Sequence, residues 1–424
     1  MNGSLALSLY LGLSRAAHGL AGALLQRRVR RGKEDAARIG ERLGRATLQR
    51  PDGRLIWLHG ASVGEAMSIL PLVHALLAEG PDVHCLVTTG TVTSAKRIAG
   101  LLPDRAFHQF VPVDTQRAVT GFLDHWRPDR AVWVESELWP CLMVRTAECG
   151  IPMMLVNARM SENSASSWGS LPGMARRLIG LFTRIVTQDE ETVARLSAMG
   201  ARPERVRVGG NLKALAPVPD CDPEVLEHYR KLVLNRRVWL AASTHPGEEE
   251  VILDAHTALC REALLILAPR HPERGRQLAT LLEMREMTFA RLSSGEEPGP
   301  KTRVLLADTL GQMGLWLRLA PVTFVGGSLA AMGGHTPFEP SALGSAILHG
   351  PHTENFAPAY RALAEAGGAR LVSNDSDLAR EIVVLMNDPS ALHQMTEQAQ
   401  VLQRLAPDPA VLAREILALD LERA

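Results

Sequence analysis

The chain has 424 residues, 46% of them hydrophobic, and its 46 basic and 46 acidic side chains balance. This length exceeds what one hydrophobic core usually supports, so we expect two domains. The balanced charge does not indicate a nucleic-acid-binding class. The cysteines (Cys85, Cys141, Cys149, Cys221 and Cys260) form no CxxC pair and the histidines form no HExxH motif, which indicates reduced thiols and no metal site.

The amino-terminal segment, residues 5–25, is rich in Leu, Ala and Gly but is interrupted by Arg15 and His18, and the basic run 27–33 follows it. A secretory signal would carry its positive charges first. A membrane span needs about 20 apolar residues, so this segment is marginal as a spanning helix. A helix in the inner leaflet, with its basic end at anionic headgroups, fits better. The alternative is a soluble amphipathic helix with a solvated basic turn.

The stretch 55–65 has the pattern of a buried strand, a small-residue loop with two glycines, and the start of a helix. In an open α/β sheet, ligands bind at the carboxyl ends of the strands, beside helix amino termini. Glu65 lies at such a position. It is either a first-turn glutamate that complements the helix dipole or a general base directed into a cleft.

Apolar strands and helices then alternate along the chain. The predicted strands are 83–88, 110–113, 130–134, 153–156 and 184–187, and the predicted helices include 93–101 and 116–126. This rhythm predicts an α/β fold with a mostly parallel, doubly wound sheet, and polar residues repeatedly follow the strand ends. Glu135 is one of them, and it is either a helix cap or a second carboxylate of the site.

A Pro-rich stretch, 216–223, is the best candidate for an interdomain linker. Lys213 precedes it and is either a solvated surface lysine or a group facing the space between domains. After the linker, 238–248 repeats the opening pattern in outline. We therefore expect two Rossmann-like domains whose strand ends face each other across a cleft. The predicted ranges are 1–27 for a membrane-associated helix, 28–215 for the first domain and 216–424 for the second.

The second half adds predicted strands at 264–268, 304–306 and 322–325. The first of these ends in the cationic loop 269–274, where arginine suits bidentate phosphate contacts. The glycine-rich run that begins at 326 and continues to 340 offers backbone amides that could cradle a phosphate at a helix start, and Glu339 could accept from ribose hydroxyls. No GxGxxG motif follows the first strand, which disfavours a nicotinamide dehydrogenase.

Several short segments, spread over nearly the whole chain, carry a resemblance to a known enzyme family. They are 40–44, 59–65, 135–140, 157–159, 210–213, 243–249, 269–274, 326–344 and 352–356. The sequence resembles the bacterial 3-deoxy-D-manno-octulosonic acid (Kdo) transferases, which are inverting glycosyltransferases of the GT-B fold. The resemblance implies transfer of Kdo from CMP-Kdo to lipid IVA, the lipid A precursor, at the cytoplasmic side of the inner membrane in lipopolysaccharide synthesis.

The resemblance also implies roles for single residues. Glu65 matches the family's proton acceptor, and Glu135 and Lys213 match its transition-state stabilisers. The residues that match CMP-binding segments are Pro269, Arg270, Gly311, Gln312, Met313, Thr336, Pro337, Phe338 and Glu339. Thr336 stands where the family usually has Asn, and Phe338 where Leu is common. No metal or further cofactor is implied.

Two other functions stay open from the sequence. A GT-B transferase or epimerase that uses a UDP-sugar would share the architecture. A non-catalytic membrane-bound scaffold could also keep the fold, although it would not need Glu65, Glu135, Lys213 and Arg270 together.

Overall fold

The computed structural model describes residues 4–135, 137–259 and 263–420. Ser136 and Cys260 lie outside the described residues, as do the first three residues of the predicted range 1–27 and the last four of the predicted range 216–424. The chain forms two compact units, one made of Met1–Ala216 with Ala406–Ala424 and one made of Pro217–Leu405. Cys85, Cys141, Cys149 and Cys221 are free, as the sequence predicts.

The first unit is built on a parallel sheet of seven strands in the order β3-β2-β1-β4-β5-β6-β7. The strands are β1 Arg54–His59, β2 Val83–Thr89, β3 Ala106–Phe110, β4 Arg130–Val134, β5 Met153–Ala158, β6 Arg184–Thr187 and β7 Val206–Val208. The helices before the linker are α1 Leu5–Ala16, α2 His18–Arg30, α3 Ile39–Arg42, α4 Val63–Ala78, α5 Val92–Ala99, α6 Gln116–Trp126, α7 Pro140–Glu148, α8 Glu162–Gly169, α9 Pro172–Ile179 and α10 Glu190–Ala198.

The second unit repeats this architecture with a parallel sheet in the order β10-β11-β9-β8-β12-β13-β14. Its strands are β8 Val238–Thr244, β9 Leu264–Pro269, β10 Phe289–Arg291, β11 Val304–Leu306, β12 Val322–Val325, β13 Ala346–His349 and β14 Ala369–Leu371. Its helices are α11 Pro223–Leu232, α12 Glu248–Thr257, α13 Gly275–Met284, α14 Met313–Leu319, α15 Phe338–Ala342, α16 Ala357–Ala366, α17 Asp375–Asn387, α18 Pro389–Ala399 and α19 Val401–Arg404.

Each sheet is buried on both faces, which explains the continuous apolar strands. Successive side chains of a strand point to opposite faces. In β1, Leu55 and Trp57 therefore join one core cluster, while Ile56 and Leu58 pack with the apolar face of α4. This packing fixes the loop between β1 and α4 at the carboxyl edge of the sheet.

The third strand differs from its predicted range of 110–113. β3 covers Ala106–Phe110 and pairs with Cys85–Thr89 of β2. Beyond it the chain leaves the sheet, and the amide of Val113 donates to the carbonyl oxygen of Arg42 at 2.8 Å. The apolar run 110–113 was misleading because buried residues of the following loop continue the hydrophobic pattern of the strand.

The carboxyl-terminal helix α20, Pro409–Leu417, belongs to the first unit, which departs from the predicted second-domain range of 216–424. Leu412, Ala413 and Ile416 are almost fully buried and share a core cluster with residues of α4. The predicted boundary at 215–216 lies one residue from the observed division.

The helices α1 and α2 flank the first unit. Leu7 of α1 is buried, and the Tyr10 hydroxyl donates to Asp114 Oδ2 at 2.7 Å, so α1 is attached to the globular part. No helix in the described part of the chain is long and apolar enough to cross a membrane.

Candidate active site

Glu65 lies in the first turn of α4, where Ser62 is the N-cap. Its carboxylate accepts from the Ser62 hydroxyl and from the amide of Ala61, both at 2.7 Å. These bonds form a capping arrangement in the first turn, the position at which one of the two sequence interpretations has Glu65 complement the helix dipole. Burial raises the pKa of Glu65, the charges of Glu135 and Glu137 raise it further, and the two hydrogen bonds oppose the shift. A buried carboxylate with a raised pKa is suited to accept a proton.

Glu135 follows β4 directly, and its Oε1 lies 2.5 Å from Lys213 Nζ. Its φ of 64° is in the left-handed region, where a side chain is costly, and its amide donates to the carbonyl of Val156. A Cβ added to Gly64 would lie 3.8 Å from Lys213 Cε, so the lysine side chain passes over the start of α4. The structure thus brings the three predicted catalytic residues to one edge of the first sheet.

Amide side chains hold Lys213 in place. Asn211 Oδ1 accepts from the amide of Lys213 at 2.9 Å, and Asn157 Oδ1 accepts from the buried amide of Leu212 at 2.9 Å. Gln188 connects the two because it accepts from Asn211 Nδ2 and donates to the carbonyl oxygen of Asn157, both at 3.1 Å. Polar residues at the end of β5, after β6 and after β7 therefore position the lysine.

Glu137 is a third carboxylate of this group, and sequence reasoning gave it no role of its own. Its Oε2 accepts from Trp139 Nε1 at 2.7 Å, and its charge contributes to the raised pKa of Glu65. The available signal was its position two residues after Glu135, beyond the same strand end.

In the second unit, Glu248 is fully buried and organises the glycine-rich loop. Its carboxylate accepts from five backbone amides, those of His245 and of residues 327–330, at 2.7–3.2 Å. The expectation that this part of the run cradles a phosphate is therefore wrong, because those amides already have an acceptor. The sequence identified Glu248 only as a helix start.

The two arginines of the cationic loop after β9 have different surroundings. Arg274 Nη1 lies 2.6 Å from Glu249 Oε1, so this arginine forms an ion pair with a buried carboxylate of the same unit. Arg270 is exposed, and its amide donates to the carbonyl oxygen of Thr244 at 3.0 Å. Of these two arginines, Arg270 is the one whose guanidinium is accessible to a phosphate.

The residues predicted to hold CMP follow strands of the second sheet. Pro269 ends β9 and Arg270 follows it; Gly311, Gln312 and Met313 form the start of α14 after β11; Thr336, Pro337, Phe338 and Glu339 form the start of α15 after β12. The structure places all three segments at the carboxyl edge of the sheet, where open α/β folds bind ligands. Thr336 Oγ1 accepts from the amide of Phe338 at 3.4 Å, so the residue in place of Asn contributes a bond to this turn.

Two units that are each built on a parallel seven-stranded sheet place the chain in the GT-B fold class. The fold is similar to that of a UDP-GlcNAc 2-epimerase from Neisseria meningitidis solved with UDP-GlcNAc. That likeness has a TM-score of 0.62 and 14% identity, and covers 86% of this chain and 100% of the other.

Residues 37–216 match the family model of the 3-deoxy-D-manno-octulosonic-acid transferases. The chain is 34% identical over 366 residues to the transferase of Haemophilus influenzae, covering 84% of this chain and 85% of that protein. It is 35% identical over 372 residues to the transferase of Bordetella pertussis, covering 85% and 86%. The chain belongs to the Kdo transferase family and is a glycosyltransferase, which confirms the resemblance found in the sequence.

Proposed function

We propose that this enzyme transfers Kdo from CMP-Kdo to a hydroxyl group of lipid IVA in lipopolysaccharide synthesis. The observation that carries the proposal is the buried, capped Glu65 beside the Lys213–Glu135 ion pair at the carboxyl edge of the first sheet. Membership of the Kdo transferase family supports the choice of Kdo as the transferred sugar. The exposed Arg270 supports a phosphate-bearing donor.

In the proposed reaction, the acceptor oxygen attacks the anomeric carbon of Kdo while the bond from that carbon to the CMP phosphate oxygen breaks. The attack comes from the face opposite the leaving group, so the configuration inverts. Glu65 takes the proton of the attacking hydroxyl, and CMP departs with the bonding electron pair. Arg270 stabilises the charge that develops on the phosphate.

The Lys213–Glu135 pair has a positioning and electrostatic role in this scheme. Lys213 Nζ lies 2.5 Å from Glu135 Oε1, so Glu135 holds the ammonium group of the lysine in place. A lysine held in this way can stabilise negative charge near the reacting sugar without a metal ion. Nothing in this reaction requires a metal, since CMP is a good leaving group.

We also propose that the first unit docks on the cytoplasmic side of the inner membrane. The helices α1 and α2 expose the leucines Leu5, Leu9, Leu13, Leu20 and Leu24, and the last turn of α2 carries Arg27, Arg28 and Arg30. Exposed leucines beside basic side chains are typical of helices that lie in the interface of an anionic membrane. Such docking would bring the enzyme to a lipid acceptor.

The second candidate function, a transferase or epimerase that uses a UDP-sugar, is favoured only by the likeness of the fold to a UDP-GlcNAc 2-epimerase. At 14% identity, that likeness shows the fold alone.

One experiment separates the two. Purified enzyme is incubated with lipid IVA and either CMP-Kdo or UDP-GlcNAc, and the lipid products are analysed by mass spectrometry. We expect a mass increase of one or more Kdo units with CMP-Kdo only, and loss of this product in the Glu65→Gln variant. Product formation from UDP-GlcNAc, or an active Glu65→Ala enzyme, contradicts the proposal.

A further inference from the structure

Three histidines gather beside Arg270 at the carboxyl edge of the second sheet. His245 follows β8, His271 follows β9, and His335 lies in the loop after β12, and these strands are neighbours in the order β9-β8-β12. The Nε2 atoms of His245 and His335 are 2.8 Å apart, and their rings stack at 5.0 Å between centroids. The ring of His271 meets that of His245 edge-on at 5.8 Å.

The protein fixes the His245–His335 pair from several sides. The Glu248 carboxylate accepts from the amides of both His245 and Gly327, which ties the two loops together. Gly327 has a φ of 68°, and a Cβ there would lie 3.1 Å from His335 Cδ2. A residue with a side chain at this position would therefore crowd the imidazole of His335. The Tyr360 hydroxyl donates to the carbonyl oxygen of His335 at 2.9 Å.

The close contact of the two rings determines where their protons are. Burial lowers the pKa of His335 to about 4, and burial also lowers the pKa of His245, so both imidazoles are neutral near neutral pH. One ring donates its Nε2–H, and the ring that accepts must then carry its proton on Nδ1. Neither Nδ1 atom has a hydrogen bond to any residue in the described ranges. The pair therefore offers an N–H donor that the protein leaves for a ligand.

The neighbourhood of this donor suits an anion. The charges of Arg270 and His271 act on both histidines, and the carboxylate of Glu248, whose charge acts on His245, is already surrounded by five amides. Glu273 Oε1 lies 3.4 Å from Nδ1 of the third histidine, His271. A partly buried N–H donor beside an accessible guanidinium can bind two anionic groups of one ligand, one at each site.

We propose that the His245–His335 pair recognises the carboxylate of the donor sugar, next to the phosphate held by Arg270. This inference rests on the proposed function, in which the donor is CMP-Kdo. Kdo is an acid whose carboxylate is attached to the same carbon as the phosphate, so the two anionic groups lie close together. A neutral sugar on the same nucleotide offers the pair hydroxyl oxygens but no anionic group. The pair would thus determine specificity for acidic donor sugars.

Binding measurements on the full-length protein, without lipid acceptor, test this role. Isothermal titration with CMP-Kdo and with CMP alone separates contacts to the sugar from contacts to the nucleotide. The variants are His335→Ala, the more conservative His335→Gln, and the control His393→Ala, which removes an imidazole from the exposed face of α18 in the same unit.

We expect His335→Ala to raise the Kd of CMP-Kdo by about 10- to 100-fold, the loss for a hydrogen bond to a charged group, while the Kd of CMP stays unchanged. His335→Gln should recover part of the affinity because its amide can donate, and His393→Ala should bind both ligands as the wild type does.

Two results overturn the inference while leaving the proposed function intact. In one, His335→Ala binds CMP-Kdo as tightly as the wild type. In the other, it loses affinity for CMP and CMP-Kdo equally, which assigns the pair to the nucleotide or to the loop. A wild type that binds neither ligand contradicts the proposed function itself.

Discussion

Glu65 combines two tasks that oppose each other energetically. As a capping residue it stabilises the start of α4, but the residue is only 7% exposed and the charges of two other carboxylates act on its own. Folding raises its pKa, so its contribution to stability is fully present below the pKa of the unfolded chain and is lost as the pH rises through the folded pKa. Above that pH, the ionised form that the proposed mechanism requires of Glu65 costs stability.

This conflict predicts a pH-dependent effect of Glu65→Gln on stability. Glutamine can still accept from the Ala61 amide through its side-chain oxygen and donate to the Ser62 hydroxyl oxygen through its side-chain nitrogen, but it cannot ionise, so at pH 8 the variant should be as stable as the wild type or more stable by about 1 kcal/mol. Near the ordinary glutamate pKa, at about pH 4.5, the difference should be smaller, because folding raises the pKa of Glu65 and so favours its protonated form. The free energy of unfolding of the first unit, measured in urea at both pH values, checks this.

The matched control is Glu162→Gln, which changes an exposed first-turn glutamate after the N-cap Ser161 of α8. It should show no gain at pH 8. A Glu65→Gln variant that is clearly less stable than the wild type at pH 8 would mean that the ionised carboxylate stabilises the fold, because its hydrogen bonds then outweigh the cost of burying its charge.

The two Gly-Glu pairs show what the sequence could and could not predict about the site. Both place a glutamate near a helix start beyond the first strand of a unit, as the pattern indicates. Glu65 has two hydrogen-bond donors around its carboxylate, whereas Glu248 has five. This difference depends on loop amides about 80 positions away in the chain for Glu248. Local sequence carries no information about them.

At the scale of elements, buried strands were the most predictable part of the fold. Arg130–Val134, Arg184–Thr187, Val304–Leu306 and Val322–Val325 occur as predicted, since a strand covered on both faces must be apolar throughout. The sequence did not predict which unit α20 packs against. An amphipathic pattern shows that a helix has a buried face, but it does not show which surface covers that face.

The packing of α20 on α4 leads to a prediction. Ile416 is fully buried there, so Ile416→Ala should destabilise the first unit by about 2–5 kcal/mol. Hydrogen exchange should become faster for amides of α4, while α11 to α18 keep their protection. Val411→Ala, on the same helix but 40% exposed, is the control and should cost less than about 0.5 kcal/mol. Faster exchange confined to the second unit would contradict the assignment of α20.

At the scale of the whole molecule, exposed leucines distinguish one end of the first unit. Leu9 and Leu13 of α1 are 60% and 70% exposed, one helical turn apart. Exposed apolar side chains contribute little to folding, so exposed leucines on α1 and α2, with basic residues in the last turn of α2, are better explained by contact with a membrane.

Replacing Leu9 and Leu13 by Glu should therefore weaken membrane binding without changing the fold. Burial of one leucine contributes about 1.5–3 kcal/mol, so the double variant should bind vesicles at least about tenfold more weakly. Co-sedimentation with vesicles that contain anionic phospholipid measures this, and added salt should weaken wild-type binding because it screens the basic turn. Leu234→Glu, at a leucine that is 71% exposed in the second unit, is the control and should bind as the wild type does. Equal binding by the double variant and the wild type, with unchanged melting temperatures, would remove α1 from the membrane-binding surface and leave the basic residues of α2 as its remaining candidate.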